Sequence, residues 1–222
     1  MKAGRPSAAG KRLGILGAGR AGTAFARLAL KAGWEVRVSN SRGPESLSLM
    51  AAVLMPGAVA AASEEAAAFS DVMLLALPLS RYRTIPAGRL GGKIVIDAMN
   101  YWAVGGGRMA EVEHDPAASS EMIQAFLPGS RVVKAMNHLG YLELEEGAAP
   151  AGTPDRLALG MAGDDGDAKR VVAGLIDDLG FDSLDIGPLS GGRRLGPGSP
   201  VFGRRLTLEQ LREGVRQAAP AS

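Results

Sequence analysis

Cysteine is absent from this 222-residue chain, which excludes disulfides, zinc–thiolate sites, iron–sulfur clusters and thiol nucleophiles together. Histidine occurs only twice, so no metal site and no metal-dependent hydrolase is expected. Aromatic residues make up 5% of the chain, and 25 Lys and Arg are scattered among 23 Asp and Glu for a net charge of +2. Nucleic-acid binders concentrate basic charge or aromatic platforms, and neither pattern is present. Long apolar runs are missing as well. The longest, Leu49 to Ala62, is broken by Pro56-Gly57 and falls short of the roughly 18 residues of a membrane span. The first ten residues lack the apolar stretch of a signal peptide. They read as a flexible leader, and the expected location is cytoplasmic, with no membrane partner.

What is present is an alternation of short apolar runs and helical periodicities, the pattern of a parallel sheet covered by helices. Strands are expected at Leu13–Leu16, Val36–Ser39, Ala58–Ala61, Val72–Ala76, Ile94–Ile96, Val132–Ala135, Leu157–Met161 and Ser183–Ile186. Helices are expected from Arg20 to Ala32, after Pro44, after a Ser63 cap, at Ser119–Phe126, at Asp167–Leu179 and from Thr207 onward. Leu208, Leu211 and Val215 form the buried stripe of the last one. The stretch Gly105–Asp115 reads as irregular, and Gly187–Gly203, rich in glycine and proline, reads as an ordered loop or a lid. The fold class is α/β, a Rossmann-type doubly wound and mostly parallel sheet with a small C-terminal annex. Its parts are a leader (1–10), a nucleotide-binding domain (11–136), an α/β annex completing the substrate site (137–216) and a frayed tail (217–222).

Gly17-Ala18-Gly19-Arg20-Ala21-Gly22 is a G-x-G-x-x-G directly after a strand and opening a helix. In that context the first glycine makes the tight turn, the second lets backbone approach a pyrophosphate, and the third lets helix and sheet pack closely. The helix N-terminus then offers free N–H groups to the phosphates. A site for NAD usually places a carboxylate about 20 residues further on, for the ribose hydroxyls. Here Asn40-Ser41-Arg42 follows the second strand instead. With a hydroxyl and a guanidinium fork and no repelling acid, that loop suits a 2′-phosphate, so NADP(H) is the expected cofactor.

Beyond the later strands lie further candidates. Leu77, Pro78 and Leu79 follow the fourth strand, as ribose and nicotinamide contacts or as an ordinary strand end. Asn100 is a candidate cofactor contact, and Asp97 a turn cap. Met99, Tyr101 and Trp102 are positioned to wall a flat ring or to plug the core. Lys134, Asn137 and His138 are the catalytic candidates, because they sit at and beyond a strand end, where a doubly wound sheet meets its substrate; for His138 a structural role is the equal alternative. Asp164, Asp165 and Asp167 read as an acidic helix cap rather than a metal site, and His114 as a surface residue.

The strings Ser39-Asn40-Ser41-Arg42-Gly43-Pro44-Glu45-Ser46, joined to the glycine turn, resemble the F420H2:NADP oxidoreductases, the NADPH-dependent coenzyme F420 reductase family. Asp97–Trp102, Ser120–Gln124, Arg131–His138, Gly163–Asp165 and Asp185–Leu189 are similar too, so the resemblance runs from about residue 11 to residue 203. It implies hydride transfer between NADP(H) and the deazaflavin coenzyme F420, and a homodimer. It also implies that Leu77–Leu79 pack on ribose and nicotinamide, facing a ring held by Asn137, His138 and the Pro188-Leu189 turn. Family members carry a histidine where Asn137 falls, with the histidine here displaced to His138. The same module resembles the cytosolic part of membrane ferric reductases, which reduce a flavin. A flavin or ferric reductase is therefore the alternative enzyme, and a non-catalytic NADP-binding redox sensor the alternative of another class. Related imine and hydroxy-acid enzymes add a helical domain of roughly 100 residues or more, which a chain this long does not accommodate.

Overall fold

The computed structural model describes residues 11–102, 109–113, 115 and 119–218. Eight strands form one sheet in the order β3-β2-β1-β4-β5-β6-β7-β8. They are β1 (Arg12–Leu16), β2 (Glu35–Ser39), β3 (Val59–Ala60), β4 (Val72–Leu75), β5 (Ile94–Asp97), β6 (Arg131–Ala135), β7 (Ala158–Gly163) and β8 (Asp182–Asp185). Among the described residues the helices are α1 (Arg20–Lys31), α2 (Pro44–Leu54), α3 (Ser63–Phe69), α4 (Ala110–Glu113), α5 (Ser119–Phe126), α6 (Tyr141–Gly147), α7 (Gly166–Asp178) and α8 (Leu208–Gln217). The strand order reverses between β1 and β4, and that reversal is where a doubly wound sheet binds its ligand.

The central strands are buried on both faces because helices cover both. In β4, Val72 and Leu74 join Ile15, Phe25 and Val38 on one face, while Met73 and Leu75 join Val95, Ile123 and Val132 on the other. This is the two-residue period of a strand. Each such side chain contributes roughly 1.5–3 kcal/mol relative to exposure. Helix α1 buries Ala24, Phe25, Leu28 and Ala29, and Gly33, at φ +80°, ends it in the left-handed conformation that glycine adopts without strain.

All strand pairs are parallel except β6 with β7. The helix between them, α6, has seven residues, about 10 Å at 1.5 Å per residue. The chain re-enters the sheet at the edge where it left, since β7 runs antiparallel to β6. The sheet is continuous past residue 136, with β7 and β8 extending it rather than forming a separate layer.

Several local expectations are corrected. The segment Gly187–Gly203 contains a 3-10 helix, Leu189–Leu195, and buries Leu189, Leu195 and Val201. It is ordered, as one of the two readings had it, but carries a helical turn that its glycine and proline content did not suggest. Its glycines permit close packing: a Cβ on Gly192 would lie 2.9 Å from the Lys134 side chain. Ser63 does not cap α3; its hydroxyl lies 3.3 Å from that of Ser39, and the Glu65 carboxylate accepts from the Ala62 N–H instead. Asp165 caps α7 by accepting from the Ala168 N–H, whereas Asp164 turns away and accepts from the Leu189 N–H. Helix α4 interrupts the stretch read as irregular, and α8 continues to Gln217, inside the segment read as frayed. The leader 1–10, His114 and residues 219–222 lie outside the described residues.

Candidate active site at the carboxyl ends of the strands

Strand order assembles the candidate residues in a line. Across the carboxyl edge come Ser41 and Arg42 after β2, Gly17 to Gly22 after β1, Leu77 and Pro78 after β4, Asn100 after β5, and Asn137 after β6. Adjacent strands lie about 4.8 Å apart, so the line from β2 to β6 is about 19 Å long.

The three glycines of the turn are required for three different reasons. Gly17 has φ +111°, and a Cβ there would lie 2.2 Å from the Ala76 carbonyl oxygen. A Cβ on Gly22 would lie 1.8 Å from the Gly17 carbonyl oxygen, so helix and turn touch backbone to backbone. Gly19 has no atom within 4 Å of the corresponding position and faces open space at the start of α1. Arg20 and Ala21 are exposed and Ala18 half-buried. Arg20 donates to the Tyr141 hydroxyl at 3.0 Å and its guanidinium lies over that ring, joining the glycine turn to the start of α6.

The loop after β2 is ordered by Asn40. Its Oδ1 accepts from the Arg42 N–H at 2.9 Å and its amide donates to the Ser46 hydroxyl. Ser41 and Arg42 are left exposed. Sequence reasoning missed Arg81, whose guanidinium donates to Ser41 Oγ at 3.1 Å from the far side of β1. No spacing rule links the two positions, and only the strand order brings them together. Leu77 is half-buried and Pro78 exposed, while Leu79 is buried in the core, so only the first two of that trio face outward.

The far end of the line is held by a buried polar network. Asn100 and Asn137 pair reciprocally: the Asn100 amide donates to the Asn137 carbonyl at 2.8 Å, and the Asn137 amide donates to Asn100 Oδ1 at 3.0 Å and to the Leu195 carbonyl. The buried Oδ1 of Asn137 has no partner among the described residues. Met136 just before it has φ +62°, a left-handed conformation costing about 1–2 kcal/mol for a residue with a Cβ. Strain of that kind re-aims the chain as it leaves β6. Lys134 lies behind this loop, 3% exposed; its ammonium donates to the Met99 carbonyl at 2.5 Å and to Asp97 Oδ2 at 3.3 Å. Asp97 also accepts from Ser120 Oγ and from the Met99 N–H. It therefore caps the turn after β5, and in addition holds a buried lysine.

His138 also points inward. Its Nε2 accepts from the Gly160 N–H at 2.9 Å and its Nδ1 has no partner among the described residues, so the ring is neutral with the proton on Nδ1. The Pro188-Leu189 turn is tied at Leu189, whose N–H donates to Asp164 Oδ1. Gly187 bonds Gly163 at the other end of β7, and it is Leu195, reached by the 3-10 helix crossing the sheet, that touches Asn137. The Trp102 ring, half exposed, meets Phe202 edge to face at 5.7 Å, and the Gly203 N–H donates to the His138 carbonyl. Phe202 is a second residue that the sequence did not flag. Tyr101 is turned back toward the Met109 N–H.

Burial pushes the His138 imidazolium down to about 4 from its usual 6.5. The folded value lies below the unfolded one, so the associated stability is complete above about pH 6.5 and is lost as pH falls toward 4. The predicted loss across that window is on the order of 3 kcal/mol. Urea unfolding of wild type and His138→Gln at pH 7 and pH 5 checks this. The wild type is expected to lose more stability than the variant on acidification, and parallel losses would refute the buried neutral ring.

The chain is similar to several known proteins. Residues 12–101 match the family described as NADP oxidoreductase, coenzyme F420-dependent. A hypothetical protein of Sinorhizobium meliloti is 32% identical and superposes with a TM-score of 0.73, over 88% of this chain and 94% of that one. A protein of Arthrobacter sp. FB24, named for F420-dependent NADP reduction, is 25% identical with a TM-score of 0.68, over 82% and 87%. The chain belongs to the coenzyme F420-dependent NADP oxidoreductase family. Its phosphate turn, β2 loop and Asn100 all lie within the residues that match the family, and NADP(H) is the family's nucleotide. The metalloreductase STEAP3 of Rattus norvegicus is 28% identical over 187 residues, 83% of this chain, and the chain spans 35% of that protein's length. Among the described residues no helix is long and apolar enough to cross a membrane.

Proposed function

We propose that this member of the family transfers a hydride between NADP(H) and a deazaflavin of the coenzyme F420 type. The observation that carries the reading is the line of groups across the carboxyl edge, with a carboxylate-free hydroxyl–arginine loop at one end and a buried asparagine pair at the other. The residues fit the nucleotide: the space at Gly19 is open to backbone approach, and the unpartnered Asn137 Oδ1 is an acceptor suited to an amide donor. Gly17 to Gly22 would hold the pyrophosphate, Ser41 and Arg42 the 2′-phosphate, Leu77 and Pro78 the ribose side, and Asn100 with Asn137 the nicotinamide end. When bound, NADPH supplies the hydride, and the acceptor takes it up together with a proton.

The chain's own contribution is orientation, since hydride transfer between flat rings depends mainly on their distance and angle. Asn137 makes the contact. Lys134 and His138 act on it from behind, Lys134 by fixing the turn after β5 and His138 by fixing the loop against β7. The open Trp102–Phe202 pair is suited to a planar acceptor. A flavin as acceptor is the second reading, favoured by the likeness to a metalloreductase.

The test is an anaerobic mixture of the protein, NADPH and oxidised coenzyme F420, followed by deazaflavin absorbance, with NADH, FMN and FAD as controls. Bleaching with NADPH and not with NADH supports the proposal. Turnover of FMN or FAD alone transfers it to the flavin. Tight NADPH binding with no turnover of any acceptor leaves an NADP-binding sensor.

A further inference from the structure

We propose that Arg81 is a second cationic clamp for the 2′-phosphate of NADP(H), bridging to Ser41 across the glycine turn. The inference rests on the reading of Ser41 and Arg42 as the 2′-phosphate site and extends it to an element the family resemblance did not single out.

Arg81 lies in the 3-10 helix Leu79–Thr84, which follows β4. Its backbone is fixed: Leu79 and Tyr82 on either side are buried, its N–H donates to the Pro78 carbonyl, and its own carbonyl accepts from Thr84 Oγ1. In the sheet β1 lies between β2 and β4, so Ser41 and Arg81 stand on opposite sides of Gly17 to Gly19. The 3.1 Å bond from Arg81 Nη1 to Ser41 Oγ closes that gap. Strands two apart are separated by roughly 10 Å, a span that an extended arginine and a serine cover together.

The neighbouring arginine behaves differently. Arg83, two residues on, is engaged by Glu111 at 3.0 Å. Among the described residues neither Arg81 nor Arg42 has a carboxylate partner. The bond to Ser41 occupies one of the five N–H donors of Arg81, and Arg81, like Ser41 and Arg42, is exposed. A dianion inserted there meets guanidinium groups from two sides, each able to make the paired contacts that phosphate favours. A cofactor carrying only a 2′-hydroxyl offers no charge to either and leaves the Ser41–Arg81 bond in place. The arrangement therefore gains affinity only for the phosphorylated nucleotide.

The experiment measures dissociation constants for NADPH and NADH, with 2′,5′-ADP and 5′-ADP as fragments, on wild type, Arg81→Ala, Arg81→Lys and Arg42→Glu. Arg81→Ala is expected to weaken NADPH and 2′,5′-ADP roughly tenfold or more, the range for a hydrogen bond to a charged group, while NADH and 5′-ADP change less than about twofold. Arg81→Lys is expected to fall between, since it keeps the charge and loses the fork. Equal weakening of all four ligands would make Arg81 a structural support and overturn the clamp. Unchanged NADPH affinity in Arg81→Ala, with Arg42→Glu selectively impaired for NADPH, would overturn the clamp and leave the 2′-phosphate site standing. A wild type without preference for NADPH over NADH would remove both.

Discussion

A Gly19→Ala variant is expected to unfold at nearly the wild-type temperature and yet bind NADPH at least roughly tenfold more weakly, each tenfold being about 1.4 kcal/mol. A Gly22→Ala variant is expected to lose both fold stability and binding. The difference follows from what each added methyl meets. At Gly19 the backbone is extended (φ −78°, ψ −172°) and no atom lies within 4 Å, so the protein alone accommodates alanine without strain. The methyl then stands where backbone has to approach the pyrophosphate. At Gly22 the methyl would sit 1.8 Å from the Gly17 carbonyl oxygen. Neither partner is a flexible side chain, so the helix must move away from the turn, at a cost of at least the ~1–3 kcal/mol typical of overpacking. Thermal unfolding together with NADPH titration of both variants checks the contrast. If Gly19→Ala bound NADPH normally, the turn would not be the pyrophosphate cradle.

Replacing Lys134 by methionine is expected to destabilise the protein by about 3–5 kcal/mol, the range for breaking a buried ion pair from one side. That is a large part of the ~5–15 kcal/mol holding a typical domain together. Asp97 is fully buried. Without the ammonium its carboxylate keeps two neutral donors, Ser120 Oγ and the Met99 N–H, and no countercharge. The Met99 carbonyl loses its partner at the same time. Because Asp97 and Met99 shape the turn leading to Asn100, the variant is also expected to loosen the asparagine pair and lower kcat more than the affinity for NADPH. Adding Asp97→Asn to Lys134→Met is expected to restore a substantial part of the stability, since no unpaired charge remains buried. Urea unfolding of the two single variants and the double variant measures the coupling. Additive losses would show that the two groups do not act as a pair.

Much of the fold was legible because it depends on contiguous residues. The apolar runs that became β1, β2, β4, β5 and β6 are short and bounded by glycine, proline or charge, and each lies within a residue or two of its expected position. Gly33 and Asp165 act at helix ends through their own backbone or side chain, which local pattern predicts well. Where prediction failed, a distant contact prevailed over local chemistry. Glycine and proline between Gly187 and Gly203 suggested a loop, but Gly192 permits a 3-10 helix to lie against Lys134. Ser63 had the chemistry of a cap, but its hydroxyl lies beside Ser39 across the sheet edge.

The phosphate turn, the absence of a carboxylate after β2 and the family were readable in the chain, because each is carried by a short string whose function depends on adjacent backbone. Which side chains share the site follows from strand order. Ser41 meets Arg81 only because β1 lies between their two strands, Lys134 meets Asp97 because β6 pairs with β5, and His138 turns inward because β7 returns antiparallel beside β6. Those partners are 40, 37 and 22 residues apart, and strand order rather than any spacing in the chain sets the distance between them.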